Sequence, residues 1–296
     1  MPYKKLTEAQ RHIIEDKGTE PPFSGEYDDF YQAGRYHCGR CDAPLYLGQD
    51  KFNAGCGWPA FDDEIPGQVK RLRDADGRRT EIVCNQCDAH LGHVFEGERL
   101  TDKNTRHCVN SLSLDFKPIE SAVLGGGCFW CIEATLQQAK GVLSVTPGYA
   151  GGESDNPSYQ QVCGGQTGHA EVVMVEFDPS IISYQTLLRL FFASHDPTTL
   201  NRQGNDVGSQ YRSIILTQSD QQAATALSVI TNIQDWFDSP VVTDIEPLSR
   251  FYPAESKHKD YFRRNSEQAY CQVVIAPKLA KFRQQMAQYL VSDDSC

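Results

Sequence analysis

The spacing of apolar positions changes character partway along the chain. Over residues 6–16, Leu6, Ile13 and Ile14 among polar neighbours predict a short helix with Thr7 as its cap. Gly18-Thr19-Glu20-Pro21-Pro22-Phe23 then argues against regular structure. Short runs with β-branched and aromatic residues follow at 36–38, 45–47, 68–72, 80–84, 91–95 and 107–116, which predicts a small all-β unit. Lys117-Pro118-Ile119-Glu120 is the expected linker, because Pro118 ends the preceding strand and no apolar pattern crosses it. Beyond it, strands are expected at 122–124, 142–146, 170–177, 213–216, 241–246 and 272–275. Helices are expected at 128–139, 184–194, 221–237, 257–264 and from 278 onward. This is an α+β alternation, so the chain divides into domains over 1–116 and 121–296, with 117–120 between them and no internal repeat.

Composition narrows the classes. A length of 296 residues fits two domains, and a net charge of −11 disfavours nucleic acid as a partner. No apolar run reaches the roughly 18 to 20 residues of a membrane span, and Met1 to Leu6 leads into polar sequence without an apolar signal core. The expected location is the cytoplasm, where eleven cysteines are metal ligands, catalytic thiols or buried hydrophobes and not a permanent disulfide framework.

The most informative stretch is Gly125-Gly126-Gly127-Cys128-Phe129-Trp130-Cys131-Ile132-Glu133, a strand end that turns on glycine into a helix. Exposed amides and the positive helix end favour an anion there, so the Cys128 thiol is expected to have a lowered pKa, with two aromatics forming an apolar cradle beside it. In the first half, Cys38-Gly39-Arg40-Cys41 and Cys84-Asn85-Gln86-Cys87 are two Cys-x-x-Cys knuckles. Four thiolates so paired suit tetrahedral Zn²⁺ with no open position, hence one structural zinc per chain. Cys56 lies in a Gly/Pro loop beside Trp58, and Cys108 between Arg106 and His107, a cation and an imidazole that lower a thiol pKa when close. His90 and His93 lie between the two thiols in sequence and are suited to hold or supply a proton near neutral pH.

Together the knuckles, Gly55-Cys56-Gly57-Trp58-Pro59, His90-Leu91-Gly92-His93-Val94-Phe95 and Arg106-His107-Cys108-Val109-Asn110-Ser111 resemble methionine sulfoxide reductase B over about residues 6–116. The resemblance implies Cys108 as nucleophile and Cys56 as resolving thiol. It also implies His90, His93, Arg106 and Asn110 as active-site polar groups and Trp58 as the aromatic facing the substrate methyl. His107 stands where the family often has tyrosine, and Glu96-Gly97-Glu98-Arg99-Leu100 replaces a usual Pro-Asp-Gly-Pro run.

About residues 121–290 resemble methionine sulfoxide reductase A, which implies a ferredoxin-like α+β fold. The matching stretches are Gly127-Cys128-Phe129-Trp130, Gly148-Tyr149-Ala150-Gly151-Gly152, Asn156-Pro157-Ser158-Tyr159, Gly168-His169-Ala170-Glu171 and the run from Gly204 to Ser213. The resemblance implies Cys128 as nucleophile, Phe129 and Trp130 around the methyl, Glu171 as proton source, Tyr159 and Tyr211 on the oxygen, and Asp206 as a further polar wall. Cys271, Cys296 and Cys131 are candidate resolving thiols, with Cys271 preferred from its place near a family resolving position.

A sulfoxide sulfur becomes electrophilic when its oxygen is protonated or strongly hydrogen-bonded, which is why an acid and phenols must face the oxygen while a thiolate attacks sulfur. Glu171 in an apolar pocket is expected to have a raised pKa. Attack leaves a sulfenic acid that a second thiol condenses with to give a disulfide. The sulfur is chiral, so two pockets serve the two epimers. By resemblance the first half takes R and the second S, on free or protein-bound methionine sulfoxide, with thioredoxin or another dithiol as reductant. The alternatives are a thioredoxin-like disulfide oxidoreductase, which leaves the Glu171 and tyrosine motifs unexplained, a zinc-containing binding module for nucleic acid or protein, the first of which the acidic balance disfavours, and a purely structural zinc protein, which leaves Cys56 and Cys108 idle.

Overall fold

The computed structural model describes residues 3–74 and 77–291. The chain divides into two compact units, one ending at Ile119 and the other starting at Glu120.

The first unit opens with α1 (Glu8–Ile14), where Thr7 and Gln10 cap each other reciprocally and Ile13 and Ile14 are buried. Eight strands follow in chain order before the last of the unit: β1 (Gly34–Cys38), β2 (Pro44–Leu47), β3 (Lys51–Phe52), β4 (Ala60–Phe61), β5 (Val69–Arg73), β6 (Thr80–Cys84), β7 (His90–Glu96) and β8 (Thr105–Val109). The ninth is β9 (Leu114–Pro118). They form a six-stranded sheet in the order β3-β4-β8-β7-β6-β5 and a three-stranded sheet in the order β2-β1-β9. The expected 107–116 strand is therefore two strands in two sheets, separated by a 3₁₀ turn over Ser111–Ser113. A continuous β-rich run carries no mark of a change of sheet, so the pattern alone joins them.

Strand β8 is central, with Ala60 opposite Cys108 on one side and His93 opposite it on the other. Gly92 allows the close approach: a Cβ there would collide with the Cys108 carbonyl. Gly92→Ala is expected to overpack this strand pair at a cost of about 1–3 kcal/mol, read as a lower unfolding midpoint of the first unit.

Lys117 and Pro118 belong to β9 and Glu120 opens the next strand, so Ile119 alone lies between. The second unit runs β10 (Glu120–Gly126), α2 (Phe129–Leu136), β11 (Val142–Ala150), α3 (Tyr159–Cys163), β12 (Ala170–Phe177) and α4 (Tyr184–Ser194). Next come the small ribbon β13 (Arg202–Gln203) and β14 (Asp206–Val207), then β15 (Ser213–Thr217), α5 (Asp220–Ile233), β16 (Asp244–Pro247), β17 (Phe251–Pro253), α6 (Tyr261–Arg264) and α7 (Ala276–Met286). Its sheet order is β16-β15-β10-β12-β11-β17, antiparallel except for β15 with β16. The expected strand at 272–275 is instead a wide helical turn over Cys271–Ile275 leading into α7. Its β-branched run packs Cys271 and Ile275 inward at helical spacing, so tertiary burial overrides strand propensity.

One sheet face packs against α2 and α4 through Leu124, Phe129, Ile132, Val173, Val175, Leu187 and Phe191, all buried. Each such side chain removed from water contributes about 1.5–3 kcal/mol. Alternation along β12 puts Glu171 on the same face as Val173, Val175 and Phe177, which buries its carboxyl under the start of α2. Gly127 makes the strand-to-helix turn at φ +95°, a conformation open to glycine and strained for other residues.

Candidate active sites

In the first unit, Cys56 Sγ and Cys108 Sγ are 3.9 Å apart. Cys108 faces a cavity of about 120 Å³ with Trp58, His93, Phe95, Asn110 and Thr19 in its lining. The Trp58 indole donates to the Glu20 carbonyl, and Asn110 accepts from the Glu20 amide while donating to the Leu91 carbonyl, so both hold the 18–23 segment against the cavity. His93 pairs through Nε2 with Asp74 at 2.9 Å. His90 stands behind it, paired through Nδ1 with Glu81 at 2.7 Å, and its ring lies 5.7 Å from that of His93. Arg106 is held by Glu98 through two hydrogen bonds and stacks over Phe95. Thr19, Phe95, Glu98, Glu81 and Asp74 were not singled out by sequence. The carboxylates carry no local motif, and only the strand pairing shows which cation or imidazole each one faces.

The electrostatics correct one expectation. The hydrogen bond that Cys108 shares with Cys56, together with burial, pushes the Cys108 thiol up despite the pull of Arg106, and the same hydrogen bond brings Cys56 down to about 6. His107 does not assist. Strand alternation turns it inward to Tyr46 and Glu64, away from the sulfur.

In the second unit Cys128 occupies the cap position of α2. The first helical amide, Phe129 N–H, donates to the Glu171 carboxyl at 3.0 Å. The amide expected to stabilise a Cys128 thiolate is therefore spent on Glu171. The neighbouring Cys131 thiol, then burial and the Glu171 charge, push the Cys128 thiol up, while the Cys128 thiol and the Lys278 ammonium lower Cys131. This reverses the expected lowered pKa of Cys128. Burial first, then Asp206 and Cys131, push Glu171 up to about 8, as expected for a carboxyl in an apolar setting.

Around this centre Phe129 is buried beside Trp130, with ring centroids 6.1 Å apart, and Tyr159 lies 6.3 Å from Phe129. Burial, then the Cys163 thiol and the Glu171 charge, raise the phenol of Tyr159, and burial with the charge of Glu171 raises that of Tyr211. Asp206 accepts from the Tyr270 hydroxyl at 3.2 Å. Cys271 is fully buried in one cluster with Cys128 and Cys131, and Cys296 lies outside the described residues.

Several neighbours were missed by sequence. Tyr261 stacks on Trp130 at 3.6 Å, His258 accepts from the Trp130 indole N–H at 3.2 Å, and Tyr270 meets Trp130 edge to face at 5.9 Å. Glu133 of α2 fixes the Tyr261 segment by accepting from the amides of Asp260 and Tyr261. Cys163 follows Tyr159 by one turn of α3, an i, i+4 spacing visible in the sequence, and adds to the rise of the Tyr159 phenol.

Cys38, Cys41, Cys84 and Cys87 bring their sulfurs within 4.8 Å of one another, with the Cys38–Cys87 and Cys41–Cys84 pairs at 3.6 Å. Ligands about 2.3 Å from a tetrahedral zinc stand about 3.8 Å apart, so the cluster is compatible with zinc. Each knuckle makes the same turn, with Asp42 N–H on the Cys38 carbonyl and Asp88 N–H on the Cys84 carbonyl. Cys38 ends a strand of the three-stranded sheet and Cys84 one of the six-stranded sheet.

Two centres, each with a pair of neighbouring thiols close to a cation and aromatics, are the arrangement of a thiol-dependent oxidoreductase. The family model described as peptide methionine sulfoxide reductase matches residues 120–290, and the SelR domain model matches residues 6–118. Peptide methionine sulfoxide reductase MsrA of Polynucleobacter asymbioticus is 56% identical over 167 residues, covering 56% of this chain and 88% of that protein. The protein of the same name from Haloquadratum walsbyi is 54% identical over 171 residues, covering 58% of this chain and 98% of its own. The solved structure of reduced Mxr1 from Saccharomyces cerevisiae is similar with a TM-score of 0.50 and 35% identity, covering 52% of this chain and 89% of that one. The chain belongs to the peptide methionine sulfoxide reductase family and carries an MsrB domain followed by an MsrA domain. It is a reductase of both sulfoxide epimers, R through the first domain and S through the second. Among the described residues no helix is long and apolar enough to cross a membrane.

Proposed function

We propose that each domain runs the same cycle with its own residues. In the first, over 1–116, Cys108 attacks the sulfur of the R epimer with Trp58 against the methyl. His93, Arg106 and Asn110 stand at the polar side, His90 orients His93, and Cys56 resolves the sulfenic acid. In the second, over 121–296, Cys128 attacks the S epimer between Phe129 and Trp130. Tyr159 and Tyr211 hold the oxygen, Asp206 walls the polar side and Cys271 is the thiol that delivers the disulfide to the reductant. The order of β15, β10, β12 and β11, with α2 and α4 as the crossovers, supports a ferredoxin-like core for this domain.

The observation that carries the reading is the buried Glu171 carboxyl, tied to the amide next to the nucleophile and kept protonated to about pH 8. It donates to the sulfoxide oxygen as Cys128 attacks, and the oxygen stays on Cys128 as the sulfenic acid while methionine leaves. A carboxyl with a raised folded-state pKa is an acid below that value and a carboxylate above it. S-epimer turnover is thus expected to fall about tenfold per pH unit above about 8. The same shift makes this domain lose stability as pH rises from about 4.5 to about 8, with no further loss above it. Glu171→Gln keeps the hydrogen bond to the oxygen, removes the transferable proton, and is expected to cut the rate by about 10²–10⁴-fold and to abolish this limb of the profile. A wild-type profile flat to pH 10, or an unchanged limb in the variant, assigns the proton to another group.

The Cys38, Cys41, Cys84 and Cys87 thiolates would hold one structural zinc, which supplies a closed four-ligand clamp between the two sheets and takes no part in turnover. Substrates are methionine sulfoxide, free or in proteins. The reductant is a dithiol such as thioredoxin, nucleic acid is not a partner, and the working location is the cytoplasm.

A further inference from the structure

Glu133 is a buried carboxyl of the second domain to which the cycle above gives no part. It is 1% exposed and stands on α2 with Trp130 three residues before it and Gln137 four after it, a spacing that puts the three side chains on one face of the helix. That face meets the stretch 256–264. Glu133 accepts from the Asp260 amide at 2.7 Å and from the Tyr261 amide at 3.3 Å, and the Gln137 side-chain amide donates to the Asp260 carboxylate at 2.9 Å. Asp260 is held in the left-handed region at φ +53°, a conformation uncommon outside glycine that persists where the surroundings fix it.

What the two side chains hold is the support of the Trp130 indole. Tyr261 stacks on it with planes 5° from parallel, and His258 Nδ1 accepts from its N–H, so one short stretch of chain fixes the indole at its face and at its nitrogen. The stretch closes on itself through Arg264, which donates to the Ser256 and Lys259 carbonyls, and it therefore shifts as one piece. His258 also lies against Phe129 and Tyr159, with ring centroids 5.4 and 4.5 Å apart. A displacement at Asp260 would reach Phe129, Trp130 and Tyr159 together.

We propose, resting on the assignment of Trp130 to the substrate methyl, that Glu133 is a positioning residue for the S-epimer pocket: through the backbone of Asp260 and Tyr261 it sets where Tyr261 and His258 hold the Trp130 indole, and so sets the affinity for the methionine sulfoxide side chain. Gln137 is the second hold on the same turn. Glu133 is spent on two backbone amides and acts on the indole only through them, so its loss weakens binding and leaves the chemistry at Cys128 in place. An indole without its stack and its acceptor samples more orientations, and a wall that the substrate must order binds that substrate less tightly. The wall meets the methyl alike before and during attack, so the loss appears in the half-saturating concentration and not in the limiting rate. Glutamine does not replace the carboxylate here. Its carbonyl oxygen serves one amide while its NH₂ faces the other, which leaves a buried donor without a partner.

The test is a single turnover of the full chain on a blocked methionine S-sulfoxide without reductant, with release of the reduced product followed as substrate concentration is varied. Glu133→Gln is expected to raise the half-saturating concentration about three- to tenfold, the worth of a stacked aromatic pair, with the limiting rate within twofold of wild type and R-epimer reduction unchanged. Tyr261→Ala is expected to do the same. The double variant should exceed neither single one, because both act through one wall. Gln137→Ala, at a half-buried position that tolerates truncation, should give the same signature at about two- to threefold and carries the test if Glu133→Gln does not fold. A lowered limiting rate at unchanged half-saturation, or effects of Glu133→Gln and Tyr261→Ala that multiply in the double variant, overturns the proposal. Trp130→Ala separates the two ways of failing. If it leaves half-saturation unchanged, the assignment of Trp130 to the methyl falls and the proposal with it; if it raises half-saturation while Glu133→Gln and Gln137→Ala match wild type, the brace alone is overturned.

Discussion

Cys128→Ser is expected to lower S-epimer reduction by about three orders of magnitude or more while R-epimer reduction stays within twofold of wild type, and Cys108→Ser to do the reverse. The expectation follows from two complete centres. Each proposed nucleophile has a second thiol, aromatics and a cation from its own unit. A serine hydroxyl is nearly isosteric with the thiol but is hardly ionised at neutral pH and is a poor nucleophile toward sulfur, so the loss is chemical and leaves folding intact. Rates on the separated epimers of a blocked methionine sulfoxide measure it. Loss of both activities from either substitution contradicts independent sites.

The second large effect concerns the knuckles. Cys84→Ser, or exhaustive chelation of the full chain under mild denaturant, is expected to unfold the first domain and abolish R-epimer reduction with the S activity retained. A structural zinc binds with about 10–16 kcal/mol, as large as the whole stability of about 5–15 kcal/mol of an ordinary domain. Removing one of four thiolates opens the clamp that joins the strand ends Cys38 and Cys84 of two different sheets. Metal analysis should find one zinc in wild type and none in the variant. Calorimetry should show one of two unfolding transitions displaced. Full R activity from a metal-free protein contradicts the structural role.

Much of this was legible in the residues because the chemistry is local. The helix start at Cys128, the knuckles and the Thr7 cap each follow from a few adjacent positions, and burial of Glu171 follows from alternation along one strand. What escaped depends on distant pairing. The 107–116 run crosses from one sheet to another, and the β-branched 272–275 run is drawn into helix by its inward-facing Cys271 and Ile275. The ionisation of the thiols escaped for the same reason. Sequence places Cys128 at a helix end and Cys108 between a cation and an imidazole, but it does not show that Glu171 takes the helix amide, that His107 faces the other way, or that Lys278 arrives at Cys131 from a helix 147 positions later. Tyr261, Tyr270 and His258 are ordinary aromatics until the fold brings them against Trp130.

The most direct measurement is the oxidation state of the cysteines after one turnover with each epimer, read by peptide mass spectrometry under acid quench with the reductant left out. The account predicts Cys108 in a disulfide with Cys56 after the R epimer, with the second domain fully reduced. After the S epimer it predicts the oxidation confined to Cys128, Cys131 and Cys271, with the first domain reduced. Oxidation of neither Cys108 nor Cys128, or oxidation of both by a single pure epimer, contradicts it.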